Sequence, residues 1–323
     1  KGSFAVATEE NHGCYVSNEF PAFAINSDLL DPQYLWRYFS RASTWEEALG
    51  LSTGGTPTSR NRLKEEKLLA MEIPLPPIED QRRTVARIEE LAARIEEARE
   101  LRRRAMEESS QLWHTGLEIA FQTGDFVKLG DISDFITKGA TPTTYGHEWV
   151  NEGILFLRSQ CVRNGYVSTE GSFKISQSAD EMLSRSRVRP FDILYNITGA
   201  SIGRCAMFPQ ELISANINQH IALIRLKNNV VDPYYISYYL NNPALLRHSL
   251  SIQAGGAQPL LSLKQVKNFL IRLPSIKEQC RIVAYLDNMK SNLDALRRHQ
   301  TETAAALEAL LPAVLERAFR GEL

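Results

Sequence analysis

Residues 75–91 read LPPIEDQRRTVARIEEL and residues 273–289 read LPSIKEQCRIVAYLDNM. The two strings stand 198 residues apart, and the offset persists without a gap through Leu112/Leu310, Leu117/Leu315, Glu118/Glu316 and Ala120/Ala318 to Phe121 and Phe319. Upstream the match continues at an offset of 201, where Asp31-Pro32-Gln-Tyr-Leu pairs with Asp232-Pro233-Tyr-Tyr-Ile and Gly54-Gly55 with Gly255-Gly256. A period this long signals two duplicated domains rather than a solenoid. The three residues gained or lost between the offsets belong in a surface loop.

Each repeat ends in a long helix. Beyond the proline-containing loop, which helps set where a helix begins, positions 88, 91, 95, 98, 102, 105, 109 and 112 carry Ile88, Leu91, Ile95, Ala98, Arg102, Ala105, Ser109 and Leu112. The second repeat supplies Leu286, Met289, Leu293, Leu296, Gln300, Thr303, Leu307 and Leu310 in the same register. Spacings of three and four over several heptads describe a coiled-coil seam. At ~1.5 Å per residue a helix of about 40 residues spans ~60 Å, too long to be buried in one small domain. The other repeat's helix is its natural partner. Both seams turn polar near the middle, at Arg102 and at Gln300 and Thr303. That break reads either as a device that fixes register or docks another subunit, or as a locally imperfect coil open to water. The run Arg102-Arg103-Arg104 stands among Glu97, Glu100, Glu107 and Glu108, which favours a solvated face of paired charges over a nucleic-acid patch.

Between the helices, GILFLRSQCV (153–162), RPFDILYNI (189–197) and HIALIRL (220–226) have strand composition bounded by Gly, Pro and Asn. Asp31-Pro32 and Asp232-Pro233 read as an N-cap followed by proline at the first helical position, so a short helix follows each. Cys14, Cys161, Cys205 and Cys280 are far apart with no CxxC pair, and neither a zinc site nor a disulfide scaffold is expected. No apolar run reaches the ~20 residues of a membrane span, and KGSFAVATEENHG is not a signal peptide. A cytoplasmic protein is expected.

The formal charge of −1 over 323 residues argues against a nucleic-acid binder, but the average conceals a gradient. Residues 127–273 hold 15 Lys and Arg against 10 Asp and Glu, and the remainder is acidic. Catalytic motifs are missing: there is no GxxxxGK[ST], no HExxH and no GxGxxG after a strand. DPYY at 232–235 approaches the tetrapeptide with which amino-methyltransferases hold a flipped base, but its repeat partner DPQY at 31–34 departs further. A helix start explains both.

Two variable domains, each followed by a long helix opening with LPPIEDQ or LPSIKEQ, resemble the specificity subunits of Type I restriction-modification systems. GDISDFITKGATPT (130–143), RPFDILYNITGASIGR (189–204), the Gly-Gly turn before each helix and AFRGEL (318–323) add to the resemblance. It covers essentially the whole chain. It implies an α+β fold in which a strand-rich target recognition domain and a long helix are duplicated, the two helices packing as an antiparallel coiled coil. It also implies a non-catalytic subunit that reads a split asymmetric target in double-stranded DNA. Two methyltransferase subunits carrying S-adenosylmethionine dock on the helices, and restriction subunits using ATP and Mg join them; the chain itself holds no cofactor and no metal. The expected domains are 1–74, the C-terminal part of a first recognition domain; 75–124, a spacer helix; 125–273, a second recognition domain; and 274–323, a second spacer helix. Under the 201 offset Lys1 corresponds to Ile202, so roughly 75 residues of the second recognition domain lack a counterpart in the first. The first reader is therefore expected to be truncated, or completed by permutation or another chain, with specific binding resting mainly on residues 127–273.

Within that domain the candidate phosphate contacts are Lys138, Thr141 and Thr143 of the KGATPT loop, where glycine lets backbone approach phosphate. Arg158, Asn196, Arg204, Asn218, Gln219 and Gln258 are the candidates for paired hydrogen bonds to base edges. The candidate helix-pairing residues are Ile88, Leu91, Ile95, Leu112, Leu286, Leu293, Leu296, Leu307 and Leu310. Two rival readings stand beside this one: the recognition region of a single-chain restriction-methylation enzyme, and a coiled-coil scaffold that binds protein.

Overall fold

The computed structural model describes residues 4–17, 20–52, 63–252 and 259–323; Gln258 and both Gly-Gly pairs lie outside them. In chain order the helices are α1 (Pro32–Phe39), α2 (Ala42–Leu51), α3 (Glu65–Leu69), α4 (Ile78–Ala120), α5 (Gln177–Met182), α6 (Pro233–Leu240), α7 (Pro243–Ile252), α8 (Leu263–Lys267) and α9 (Ile276–Phe319). Residues 1–107 with 295–323 form one unit and residues 108–294 another. Both long helices, of 43 and 44 residues, contribute a stretch to each unit.

Among its described residues the first unit has helices and irregular chain, residues 20–31 included, and no strand. Its α1 begins as the Asp-Pro pair requires: Asp31 Oδ1 accepts from Gln33 N at 2.8 Å and Tyr34 N at 3.2 Å, with Pro32 as the first helical residue. The same device starts α6 in the second unit, where Asp232 Oδ1 accepts from Tyr234 N at 2.8 Å.

A glutamine anchors each of these starts. Gln81 is fully buried; its Oε1 accepts the Asp31 N–H at 2.9 Å, and its Nε2 donates to the carbonyls of Pro76 and Leu29 at 2.8 and 2.9 Å. Gln279, equally buried, accepts the Asp232 N–H at 2.9 Å and donates to the Pro274 carbonyl at 2.9 Å. A tyrosine makes a second tie in each copy. Tyr34 Oη donates to the Pro74 carbonyl at 3.3 Å and Tyr235 Oη to the Arg272 carbonyl at 2.7 Å.

The aromatic contacts under α1 and α6 come from the opposite repeat. In the first unit Tyr34 and Tyr38 meet Phe319 with ring centroids 5.0 and 5.2 Å apart. In the second, Tyr235 and Tyr239 meet Phe121 at 5.4 and 4.9 Å. The pairing of α4 with α9 explains the exchange. Within the first unit Ile88 packs with Leu315 and Ala318, and Arg102 donates to the Gln300 carbonyl and to Thr303 Oγ1 at 3.0 Å. Within the second, Leu117, Ala120 and Phe121 share a core with Ile282, Val283 and Leu286. There Gly116 allows close approach, since a methyl in its place would stand 2.6 Å from Met289 Sδ. Numbers rise along α4 as they fall along α9, so the helices run antiparallel.

The seam departs in places from the heptad expectation. Ile88, Ile95, Leu286 and Leu293 are buried, and Leu91 and Leu307 half-buried. Leu112, Leu296 and Leu310, expected in the seam, are instead 55, 37 and 46 % exposed. A straight helix drifts by ~20° per heptad from a strict seven-residue repeat. The buried stripe of α4 accordingly passes from Ser109 to Trp113 and Leu117, and that of α9 from Leu307 to Leu311 and Leu315.

The second unit carries β1 (Asp125–Lys128), β2 (Ser133–Lys138), β3 (Trp149–Leu157), β4 (Phe173–Ile175), β5 (Ile193–Asn196), β6 (Cys205–Met207), β7 (Ala215–Ile217), β8 (Ile221–Leu226) and β9 (Leu270–Leu273). They form a pair β1-β9, a four-stranded antiparallel sheet β2-β8-β5-β6 and a three-stranded sheet β4-β3-β7, in which β3 and β7 are parallel. Side chains alternate across a strand, so the four-stranded sheet serves two cores. Ile193, Tyr195, Ala222, Ile224 and Leu226 face α6, α8 and the long-helix ends. Leu194, Ala206, Ile221 and Leu223 face Leu157, Val188, Phe208 and Ile217. Burial on both faces explains why ILYN and IALIRL are nearly continuous apolar runs.

A candidate nucleic-acid interface

Strand register brings five segments of the second unit to one end of its sheets. Lys138, the last residue of β2, pairs with Ala222 at the start of β8; Asn196, the last of β5, pairs with Ile221; Tyr195 pairs with Cys205 at the start of β6. In the neighbouring sheet β3 and β7 end together at Leu157 and Ile217. The loops that leave these strand ends are tied to one another by backbone bonds: Ile197 N to the His220 carbonyl at 3.0 Å, Asn218 N to Leu157 O at 3.1 Å, Gly199 N to Pro259 O at 2.8 Å, and Gly165 N to Cys205 O at 2.8 Å.

The charge of this end is one-sided. Segments 138–147, 158–165, 196–205, 217–222 and 259–262 contain Lys138, Arg158, Arg163 and Arg204, the histidines His147 and His220, and no Asp or Glu. At the opposite end of the four-stranded sheet, segments 129–132, 187–192, 208–214 and 227–232 hold Asp131, Asp192, Glu211 and Asp232 against Arg187, Arg189 and Lys227. The remainder of the 158–172 loop adds one acid, Glu170, whose carbonyl faces Cys161 Sγ, and the rim stays predominantly positive, which is what attracts a phosphate backbone.

The KGATPT loop sits directly on the 217–220 turn. A methyl on Gly139 would overlap the Ile217 carbonyl, so glycine permits the approach. Across this contact Thr141 Oγ1 donates to Gln219 Oε1 at 2.5 Å, and Gln219 Nε2 lies 3.2 Å from His220 Nε2. Lys138, Thr143 and Gln219 are exposed, and Thr141 half-buried. Arg204 is half-buried, and among the described residues neither it nor Lys138 has a side-chain hydrogen bond or ion pair. Arg158 is partly engaged: it donates to the Gly171 carbonyl through Nε at 3.0 Å and Nη2 at 2.5 Å while lying 4.0 Å over the Phe173 ring.

Two residues expected to address base edges occupy other places. Asn196 is fully buried, and its Nδ2 donates to the Ser159 carbonyl at 2.7 Å, so it braces the loops from beneath. Asn218 is 8 % exposed and its Oδ1 accepts the His220 N–H at 3.2 Å, a local turn bond of the kind short polar side chains favour. Asn196 Oδ1 and Thr198 Oγ1 are buried without a hydrogen-bond partner among the described residues. Sequence reasoning passed over Arg163 and His220, and over Tyr145 and Tyr166, which stand 58 and 59 % exposed in or beside these loops. An aromatic in a short polar turn is the signal that marks the tyrosines.

Several charges elsewhere are internally paired. Asp192, 3 % exposed, receives Arg225 Nε at 2.7 Å and Nη2 at 2.5 Å, and the Arg189 N–H at 2.8 Å. Buried Asp180 meets Arg187 and accepts from Asn216 Nδ2 at 2.8 Å. On α4, Arg103 and Arg104 pair with Glu100, and Arg103 also with Glu107; the hydrogen bonds from Arg103 and Arg104 hold the Glu100 carboxyl down at about 2. Burial pushes the Cys205 thiol and the Tyr195 phenol well up, which suits packing rather than chemistry. Among the described residues no group of three or more His, Cys, Asp or Glu is placed to hold a metal ion, and no helix is long and apolar enough to cross a membrane.

Comparison with known proteins agrees with this architecture. The chain is 26 % identical over 280 residues to the Type I restriction enzyme EcoBI specificity subunit of Escherichia coli, covering 78 % of this chain and 58 % of that protein. It is 22 % identical over 304 residues to the EcoKI specificity subunit of Escherichia coli K12, covering 88 % and 64 %. The chain thus spans about three fifths of the length of these curated relatives. Among solved structures, the HsdS subunit from Thermoanaerobacter tengcongensis superposes with a TM-score of 0.66 at 27 % identity, over 91 % of this chain and 71 % of the other. A chain from work described as the structural basis of complex assembly and conformational transition of the type I R-M system gives 0.69 at 27 % identity, over 92 % and 73 %. The profile of the Type I restriction modification DNA specificity domain matches residues 123–304, and with more than half of its length so matched the chain belongs to that family.

Proposed function

We propose that the chain reads a split asymmetric sequence in double-stranded DNA and docks methyltransferase subunits on its paired helices, as the specificity subunit of a cytoplasmic Type I restriction-modification complex. The observation that carries the reading is the predominantly basic rim at one end of the second unit's sheets, Lys138, Arg158, Arg163 and Arg204 against Glu170, set against an opposite end of mixed charge. Lys138, Arg158 and Arg204 approach phosphate or guanine from that rim, Thr141 and Thr143 meet the backbone, and Gln219 addresses a base edge. Residues 125–273 are the recognition domain, 75–124 and 274–323 the spacer helices, and residues 1–74 part of the other reader. The chain performs no chemistry itself: S-adenosylmethionine belongs to the methyltransferase subunits, and ATP and Mg to the restriction subunits. In this reading the length of the paired helices sets the gap between half-sites.

The test is selection of bound duplexes from a randomised pool by the complex assembled with its methyltransferase. The expected outcome is two conserved blocks separated by a fixed gap, with Gln219→Ala relaxing preference at a position in one block alone. Enrichment of no sequence, or an unaltered logo in the variant together with unaltered affinity after Lys138→Ala and Arg204→Ala, overturns the reading.

A further inference from the structure

Arg102 occupies a singular place in the helix pair. Within the first unit Ile88 of α4 packs with Leu315 of α9, and fourteen residues on, Arg102 donates to the Gln300 carbonyl and to Thr303 Oγ1. Arg102 and Gln300 are separated by the repeat offset of 198. Arg102 therefore faces its own counterpart, which makes it the midpoint of the antiparallel pairing. Of the three consecutive arginines only this one turns into the seam; Arg103 and Arg104 pair with glutamates outside it.

The midpoint matters because α4 and α9 are copies of one another and present the same stripe. A second α4 offers the first an alternative partner at the same register. In any antiparallel pair of identical helices the midpoint residue meets itself, so that alternative sets Arg102 against Arg102. The seam positions around it, Ala98, Ala105 and Ser109, supply no carboxylate to separate the two guanidinium groups. In the observed pair the guanidinium instead donates to a neutral side chain and a carbonyl, with Arg297 on the wall of the same groove. A single polar group in a coiled-coil seam is known to fix partner and register at some cost in stability, and a built-in repulsion is the usual way to reject a near-identical competitor.

We propose that Arg102 selects α9 as the partner of α4 and excludes pairing of α4 with the α4 of a second chain. Exchange between two chains that pairs α4 with α4 must also pair α9 with α9. One charged midpoint is therefore enough to oppose the whole exchanged assembly.

The experiment uses the full chain. Light and 15N-labelled copies are mixed, unfolded, refolded together and cross-linked through carboxylates, and α4–α4 peptide pairs with one light and one heavy member are counted relative to α4–α9 pairs. Arg102→Gln makes every midpoint Gln against Gln and is expected to raise the mixed α4–α4 fraction on the order of tenfold. The swapped chain Arg102→Gln/Gln300→Arg restores one charged midpoint and is expected to return to the wild-type level. Arg102→Met serves as the neutral substitution if Arg102→Gln lacks wild-type helix content. A neutral variant whose mixed fraction stays at the wild-type level, or a swapped chain that exchanges as freely as the neutral one, overturns the proposal.

Discussion

Gln279 Oε1 accepts the backbone N–H of Asp232 at 2.9 Å, joining the first turns of α9 to the N-cap of a helix 47 residues upstream. Because the side chain is fully buried, Gln279→Leu strands the Asp232 N–H and the Pro274 carbonyl away from water. Each stranded group costs ~1–3 kcal/mol, so a total loss of about 3 kcal/mol is expected in urea unfolding followed by circular dichroism. Gln81→Leu, which strands the Leu29 carbonyl as well, should destabilise at least as much.

Phe121 closes the aromatic triad with Tyr235 and Tyr239 and is 6 % exposed. Its replacement by alanine is expected to remove about 3–5 kcal/mol, read as a large fall in Tm. Phe319→Ala acts on the first unit in the same way but by less, since Phe319 is only half-buried.

Lys138→Ala and Arg204→Ala should weaken binding to all duplexes alike. For each phosphate that is no longer neutralised, the slope of log affinity against log salt becomes shallower by about one. Fluorescence anisotropy at several salt concentrations measures it. Unchanged slopes would remove both residues from the interface. Asn196→Ala should act first on stability, because it deletes a buried brace rather than an exposed group that meets DNA.

Asp192 receives Arg225 through two nitrogen atoms and is 3 % exposed. Asp192→Ala leaves a partly buried guanidinium without its carboxylate and should cost ~3–5 kcal/mol. Hydrogen exchange would show β5 and β8 losing protection while the first unit retains its own.

Glu316 gives acid sensitivity to the first unit. Burial alone raises its carboxyl, but the Ser43 hydroxyl and N–H together with Arg41 and Arg320 outweigh that and hold it below the ordinary carboxylate range. A group so depressed stabilises the fold at pH values above that range, and its contribution disappears as pH falls through the lowered folded value. The gap in Tm between the native chain and Glu316→Gln should be full near neutral pH and close on acidification below about pH 4. A gap that stays constant would contradict the assignment.

The repeat, both Asp-Pro helix starts and the two long helices were legible because each rests on local spacing or capping chemistry. The displacement of Leu112 and Leu310 from the seam was not, since the 3.5-residue pattern and the 3.6-residue helix diverge only over several turns. Nor did the residues disclose that Asn196 lies beneath the loops: its burial follows from Ser159, 37 residues away. The basic rim was hidden for a related reason. Charges of the two sheet ends alternate along the chain, and only the strand register sorts them. The part played by Gln81 and Gln279 had a signal in plain view, a polar residue common to both strings, but its partner lay across a loop.

The exchanged aromatic contacts have a consequence for how such a chain can change. Tyr34 and Tyr38 receive Phe319, while Tyr235 and Tyr239 receive Phe121, at similar centroid distances. The two repeats thus carry sockets of one gauge. A segment that keeps such a tyrosine pair on its short helix fits against either phenylalanine, so it can be replaced by another of unrelated sequence while the mounting stays as it is.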